Sequence, residues 1–332
     1  MDSRELIEPF ERLLDDAAPL ATLRATEAGA PADSLWEAIT ESGFLDALVP
    51  EAAGGAGLDL ATLAPLVESL GARLVPLPVA QTMVARALLA ANGAQPPETP
   101  ILLLSPTRRD NGWHQNLASE ALGAGHALVD LGDRAILVAL DTAGVAPTGL
   151  HASLSARIAW DGLPPALAEI PSPAGGLQPI AAVLRALEIA GAANRMVEMT
   201  AGYASERIQF GKPIAKFQAI QQQLAVMAEQ ALMARMAGRI GAAGGLPPSA
   251  AAAATAKQVA SAAVPVVTAT AHAVHGAIGF SEEYDLQLFT RRLYEWRMAD
   301  GAESFWARRL GGLRLADPAA TSVAFVRTAA GG

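Results

Sequence analysis

The chain of 332 residues contains no cysteine, which excludes disulfides, thiolate metal sites and cysteine nucleophiles. Aromatic residues make up only 5%, and no basic tract interrupts a composition in which 33 Asp and Glu outweigh 24 Lys and Arg, for a net charge of −9. Nucleic acid and anionic membrane surfaces are therefore not expected as partners. Also missing is a run of eighteen apolar residues free of polar interruption. Even the Ala-rich stretch from Ala250 carries Lys257, Gln258 and several hydroxyls, so no membrane insertion is expected. The opening MDSRELIEPFERLL is charged and helical in pattern, where a signal peptide needs a basic start and an apolar centre. A cytoplasmic location is expected.

What is abundant is apolar surface: 52% hydrophobic residues, ample for a core and, at this length, for two or three domains. The first hundred residues carry a helical period. One amphipathic helix is predicted over 5–14, another runs through Ile39 with Asp33 or Ser34 as cap, and a third covers 61–70 after the glycine-broken loop VPEAAGGAGLDL. From Ile101 to Pro173 the runs ILLLS, HALVDLG, RAILVAL and ARIAWDG read as strands bounded by turn residues. After Gly176 the period is helical again, with helices predicted over 179–206, 215–241, 248–274 and 286–298. The fold class read from this is α+β, mostly α: a helical domain at 1–99, a small β domain at 100–176 and a helical bundle at 177–332.

One stretch, YASERIQFGKPIAKFQAIQQQ from Tyr203, concentrates functional chemistry. A helix is predicted to end near Phe210-Gly211, where glycine permits a left-handed terminus and Pro213 stops the ladder. The next helix puts Ile214, Phe217, Ile220 and Leu224 on one face. Arg207 then sits beside an exposed loop, where a guanidinium can fork onto phosphate oxygens. By the residues alone, Arg207 equally complements a helix dipole and Phe210 plugs a core. A second segment, AHAVHGAIGFSEEY, sets Gly276 and Gly279 where a backbone can approach a ligand closely, with His275 beside them; a lone histidine is also a common core residue. Asp300-Gly301-Ala302-Glu303 has the spacing of a capping box ahead of a last helix over 304–313. Glu282 and Glu283 read as a solvated turn, and Arg291, Arg292 and Arg297 as a charged outer face or an interface.

The run RxQFGxPIxxFQ, with a tyrosine four residues ahead of the arginine, resembles the signature of the acyl-CoA dehydrogenase family. HGAIGF followed by EEY resembles its second signature, usually HGGxGY with a glutamine three residues before the first glycine. Here Ala273 stands in place of that glutamine and Ala277 in place of the second glycine. VPEAAGGAGL and ESLGARLVPLP extend the likeness to the N-terminal helical domain. The resemblance implies a central β-barrel in reduced form, a C-terminal four-helix bundle and FAD as cofactor. It implies that Arg207, Gln209, Phe210, His275, Gly276 and Gly279 contact the adenine-diphosphate half of a flavin held by a neighbouring subunit, with Gln218 as a supporting polar residue. Counting from Phe280 by the family's spacing puts the usual glutamate base at Asp300, followed by Gly301 as in the family. The alternative base position falls on Ala181 and Ala182. Where the family carries Thr-Glu-Pro and Gly-Ser-Asp motifs, this chain has LLLSPTRRDNGW.

The activity implied is oxidation of an acyl-CoA thioester, with electrons passed to an electron-transfer flavoprotein, in a homo-oligomer or a hetero-oligomer with a paralogous subunit. The alternative is a non-catalytic accessory subunit that completes the FAD site of a catalytic paralogue, as in heteromeric members that handle bulky acyl groups.

Overall fold

The computed structural model describes residues 3–110, 112–318 and 321–329. Met1, Asp2 and the last three residues, which the expected first and third domains include, lie outside the described residues, as does Asn111 of the LLLSPTRRDNGW segment. Five helices open the chain: α1 (Ser3–Ala17), α2 (Leu20–Glu27), α3 (Asp33–Glu41), α4 (Leu60–Ala72) and α5 (Val79–Ala91). Their inward faces put Phe10, Leu14, Leu35, Ile39, Leu63 and Leu66 in the main core. Neither predicted cap of α3 acts as one. Asp33 is already its first residue, and Ala32 precedes it without a side-chain bond. A true cap opens α4, where Asp59 accepts the Thr62 amide at 2.7 Å.

Eight short strands follow: β1 (Ile101–Leu104), β2 (Thr107–Arg109), β3 (Gly112–Ala118), β4 (His126–Asp130), β5 (Arg134–Ala139), β6 (Gly144–Pro147), β7 (Ala156–Trp160) and β8 (Ala168–Pro171). They form two four-stranded sheets, ordered β1-β4-β5-β8 and β2-β3-β7-β6. β1 and β4 run parallel, while the other paired strands are antiparallel. Leu102, Val129, Ile136 and Val138 of the first sheet share one apolar core with Ala118, Ile158 and Trp160 of the second. On the free side of β1, Thr82 Oγ1 accepts the Ile101 amide at 2.9 Å and Gln81 Oε1 accepts the Leu103 amide at 2.8 Å, both from α5.

The C-terminal helices are α6 (Gln178–Glu206), α7 (Gln218–Ala243), α8 (Ala250–His275), α9 (Leu286–Met298), α10 (Glu303–Ala316) and α11 (Ser322–Ala329). Between α6 and α7 the chain makes a two-residue hairpin of β9 (Ile208–Gln209) and β10 (Lys212–Pro213). The segment Ala250–Phe280 is long and apolar enough to cross a membrane by composition, yet α8 lies inside the bundle, packed against α6, α7, α9 and α10. The N-terminal domain docks on the bundle through α4 and α6, whose backbones touch. A Cβ built on Gly191 would lie 1.9 Å from the Glu68 carbonyl oxygen, and one on Gly71 would lie 2.1 Å from that of Glu188. Close approach of this kind is open only to glycine. Beside the contact, Glu68 receives Arg239 at 2.8 Å and Arg235 at 3.0 Å.

Candidate functional site

The first signature sits at the far end of α6. The helix stops at Glu206, the end of the expected 179–206 and short of the break expected near Phe210-Gly211, because Arg207 is already extended and the chain turns back through the β9-β10 hairpin. Phe210 and Gly211 are the left-handed corner of that hairpin, with φ of 51° and 79°. Phe210 is 92% exposed and therefore plugs no core. Arg207, Gln209 and Gln218 are exposed as well, Gln218 in the first turn of α7. α7 starts at Gln218, after a single 3-10 turn over Ile214–Lys216, so the expected start at 215 shifts by three residues.

The second signature lies against the first. Tyr203 of α6 stacks on His275 with ring centroids 4.4 Å apart, and its hydroxyl donates to the His275 carbonyl at 3.3 Å. Gly276, at φ 64°, has open space where a side chain would project, while Gly279 is packed under His275, Leu286 and His272. The His275 ring is 3% exposed. Its Nδ1 lies 2.8 Å from the Ala271 carbonyl. A carbonyl only accepts, so Nδ1 carries the proton and Nε2 is a bare acceptor. That buried Nε2 has no partner, and neither does the buried Nδ1 of His272. Burial holds both rings below the usual histidine range, with the neighbouring His275 adding to the effect at His272. Next to them runs a groove of about 510 Å³ lined by His272, Ala273, Phe280, Thr290 and Tyr294. An aromatic-lined groove and an exposed guanidinium suit the ring and phosphate parts of a nucleotide diphosphate, while the two partnerless imidazole nitrogens are buried behind that surface.

Asp300 is elsewhere, at the opposite end of α6. It occupies the turn between α9 and α10 with φ 57°, followed by Gly301 at 96°. The capping-box expectation fails. α10 begins at Glu303 with Ala302 as its unassisted cap, and Glu303 pairs instead with Arg297. The Asp300 carboxylate meets Arg185 Nε at 3.3 Å, and its carbonyl accepts Trp306 Nε1 at 2.9 Å. Ala182 is packed against Ala254 and Trp306, so the alternative base position holds no carboxylate and no space for one. About 27 Å of helix separates Arg185 from Tyr203 at ~1.5 Å per residue.

Around Arg185 the structure gathers a buried ionic cluster. Arg185 is 2% exposed and reaches Glu120 at 3.0 Å and Glu188 at 2.8 Å as well as Asp300. Glu120 also accepts Trp296 Nε1 at 2.7 Å and meets Arg292 at 3.5 Å, and Arg292 goes on to Glu27 at 3.3 Å. Arg292 is 3% exposed, so it does not belong to an outer face. Arg291 is bound to the same Glu27 and Arg297 to Glu303, so both stay on the molecule and neither forms a bare charged surface. Burial works against the Glu120 carboxylate, but Arg185 and Arg292 together hold it below the usual range. At Glu188 burial prevails, assisted by Glu120 and Asp300, and pushes the carboxyl up to about 8 against Arg185. Lys257 of α8 is fully buried and pushed down to about 7 by burial, which Asp300 and Glu303 only partly offset.

In place of the Thr-Glu-Pro segment, the chain runs from β1 through Ser105 and Pro106 into the β2-β3 hairpin, whose β2 is exposed throughout. The buried hydroxyls of Ser105 and Ser119 lack partners, and Ser119 adjoins Glu120, itself in a left-handed conformation at φ 57°. Sequence reasoning missed Ser119, Glu120, Arg185, Glu188 and Lys257. Arg185 and Glu188, one helical turn apart in the apolar run IAAVLRALEIAGAAN, carried a signal: a lone ion pair inside a buried helix demands further buried partners.

The chain matches the family profile "Acyl-CoA dehydrogenase, N-terminal domain" over residues 2–95 and "Acyl-CoA dehydrogenase, C-terminal domain" over residues 180–310. It is 32% identical to acyl-CoA dehydrogenase IpdE2 of Mycolicibacterium smegmatis, across 88% of this chain and 93% of that one. To the IpdE2 of Mycobacterium tuberculosis it is 33% identical, across 79% and 80%. Among solved structures it is similar to a variant of the Tcur3481-Tcur3483 steroid ACAD, with a TM-score of 0.81 and 26% identity over 95% of this chain and 98% of that one. The ChsE4-ChsE5 complex from Mycobacterium tuberculosis shares the fold at a TM-score of 0.80, with 21% identity over 96% and 98%.

Proposed function

Because this chain belongs to the acyl-CoA dehydrogenase family, we propose that it serves α,β-dehydrogenation of an acyl-CoA thioester within a flavin-dependent oligomer, with Asp300 as the base and an electron-transfer flavoprotein as the electron acceptor. FAD is the family's cofactor and, when bound, would supply the acceptor for the β hydrogen as hydride. The rest falls to this chain's residues. Asp300 takes the α proton onto its carboxylate, and Arg185 fixes the orientation of that carboxylate through Nε. The Arg207 guanidinium, with Gln209 and Phe210 on the same exposed turn and Gln218 close behind, would hold the diphosphate of a neighbouring subunit's flavin. Gly276, exposed and with open space where a side chain would project, would lie against the rest of it, with His275 and Gly279 packed directly behind.

The observation that carries this reading is the separation of the two halves. Asp300 and the Arg207 turn lie at opposite ends of α6, which supports an arrangement in which each chain offers parts of two sites and a second chain completes them. The exposed apolar residues support an oligomer: Ile208, Phe210 and Phe280 at the signatures, and Leu232, Met233 and Met236 along α7.

A second reading, the accessory subunit, is favoured by two observations. The Asp300 carboxylate is engaged by a fully buried arginine, and a short hairpin replaces the family's ring-binding segment. Under that reading the chain lends Arg207 and Gly276 to a partner's flavin and uses no site of its own.

The deciding experiment is Asp300→Asn in the complete assembly. Flavin content should stay unchanged, while flavin reduction by acyl-CoA slows by about 10²–10⁴-fold, the usual contribution of a positioned base. A rate equal to that of the unaltered assembly removes Asp300 as base and leaves the accessory role. Separately, Arg207→Ala should lower the flavin-to-protein ratio read from visible absorbance, and an unchanged ratio removes the cross-subunit contact.

A further inference from the structure

Lys257 is the one lysine in the described bundle with no exposed surface, and its ammonium has four oxygens around it. Nζ lies 2.8 Å from Ser261 Oγ, 3.1 Å from the Trp296 carbonyl, 3.0 Å from that of Arg297 and 2.9 Å from that of Gly301. Trp296 and Arg297 are in the last turn of α9, where carbonyls have no amide within the helix to receive. Gly301 lies beyond the turn. One ammonium therefore joins both ends of the loop 297–301, and Asp300 sits inside that loop.

The loop needs such a device. Asp300 and Gly301 are both left-handed, a conformation that costs an aspartate and that the surroundings must enforce. The sequence also offers Asp300 a competing role. With Glu303 three residues on, it has the spacing to cap α10 by accepting the Glu303 amide. The structure adopts the other arrangement: the carboxylate points to Arg185, Glu303 turns to Arg297 and the cap position falls to Ala302. The charged groups facing the Lys257 ammonium are Arg185 of α6, Arg297 of α9, Asp300 of the turn and Glu303 of α10.

We infer that Lys257 is a positioning residue: its ammonium staples the α9–α10 turn and so keeps the Asp300 carboxylate on Arg185 and off the amides of α10. The inference rests on the reading of Asp300 as base for its meaning in catalysis, but the staple itself is a matter of geometry.

The test is the crystal structure of Lys257→Met in the full chain, paired with flavin-reduction kinetics of its assembly. Methionine keeps most of the length and volume and removes every donor. Asp300 is expected to leave the left-handed region and to accept the Glu303 amide. kcat should fall by about a hundredfold, the effect of misplacing a reacting group by roughly an ångström, while KM and flavin content change little. Asp300 unmoved on Arg185 overturns the inference whatever the rate does. Asp300 moved with an unchanged rate upholds the staple and removes Asp300 as base, so the two failures are distinguishable. If the methionine variant does not fold, Lys257→Cys supplies the same contrast. The chain has no other cysteine, so alkylation with bromoethylamine in urea, followed by refolding, restores an ammonium at this position alone. Asp300 should return to Arg185 only in the alkylated protein, and identical structures before and after alkylation overturn the inference.

Discussion

Arg185→Met should destabilise the chain by about 3–5 kcal/mol in urea unfolding, the typical cost of removing one partner from a buried ion pair. The reason lies in what is left behind. Glu120 is 2% exposed and held ionised largely by Arg185. With the guanidinium gone, it keeps only Arg292 at 3.5 Å and the Trp296 indole. Glu188 is spared much of the penalty, because burial already favours its protonated form. The loss should therefore fall mainly on Glu120, the most deeply buried of the three carboxylates, with a smaller part at Asp300, which is 15% exposed, and Arg185→Met combined with Glu120→Gln should recover a large part of it. A single-variant loss below about 1 kcal/mol, in the range of exposed pairs, would mean that the cluster is not ionised as described.

Gly191→Ala should cost about 3 kcal/mol or more, at or beyond the upper end of ordinary overpacking. The added methyl meets the Glu68 carbonyl at 1.9 Å. A flexible side chain could swing away, but a helical backbone cannot, so α4 and α6 must separate along their length. The separation would also disturb the Glu68 carboxylate, which holds Arg235 and Arg239 of α7. Gly202→Ala in the same helix is the matched control. Nothing lies within 4 Å of its added Cβ, so the change should stabilise by roughly 0.5–1 kcal/mol through helix propensity alone. Two identical substitutions eleven positions apart in one helix should then shift the unfolding midpoint in opposite directions. Equal shifts would show that the α4–α6 contact is looser than described.

The long helices were legible because their apolar period runs over many turns. α9 lies at the predicted 286–298, and α6 and α8 differ from expectation by a residue or two at most ends. Of the strands, β1, β4, β5 and β7 were visible as aliphatic runs. β2 and β3 were not, since TRR is exposed throughout and GWHQNLA alternates with neither face fully buried. β6 and β8 are four-residue edge strands, GVAP and AEIP, too short and too exposed to show an alternating pattern. The signature residues could be named from the sequence because their spacing is local. The ionic cluster could not. Arg292 finds its carboxylates on Glu120 and Glu27, 172 and 265 positions away, and no window of helical periodicity reports such a partner. The same distance hides the partners of Asp300: its spacing allows a cap, while Lys257, Trp306 and Arg185, which surround it instead, come from three different helices.

The treatment of β1 has a bearing on how this molecule can meet others. An edge strand with bare amides is an open template, on which a second chain can add a strand and from which aggregates grow. Here the outward amides of Ile101 and Leu103 are already taken by Thr82 and Gln81 of α5. That margin of the sheet is sealed from within the same chain, so growth by strand addition is closed at β1.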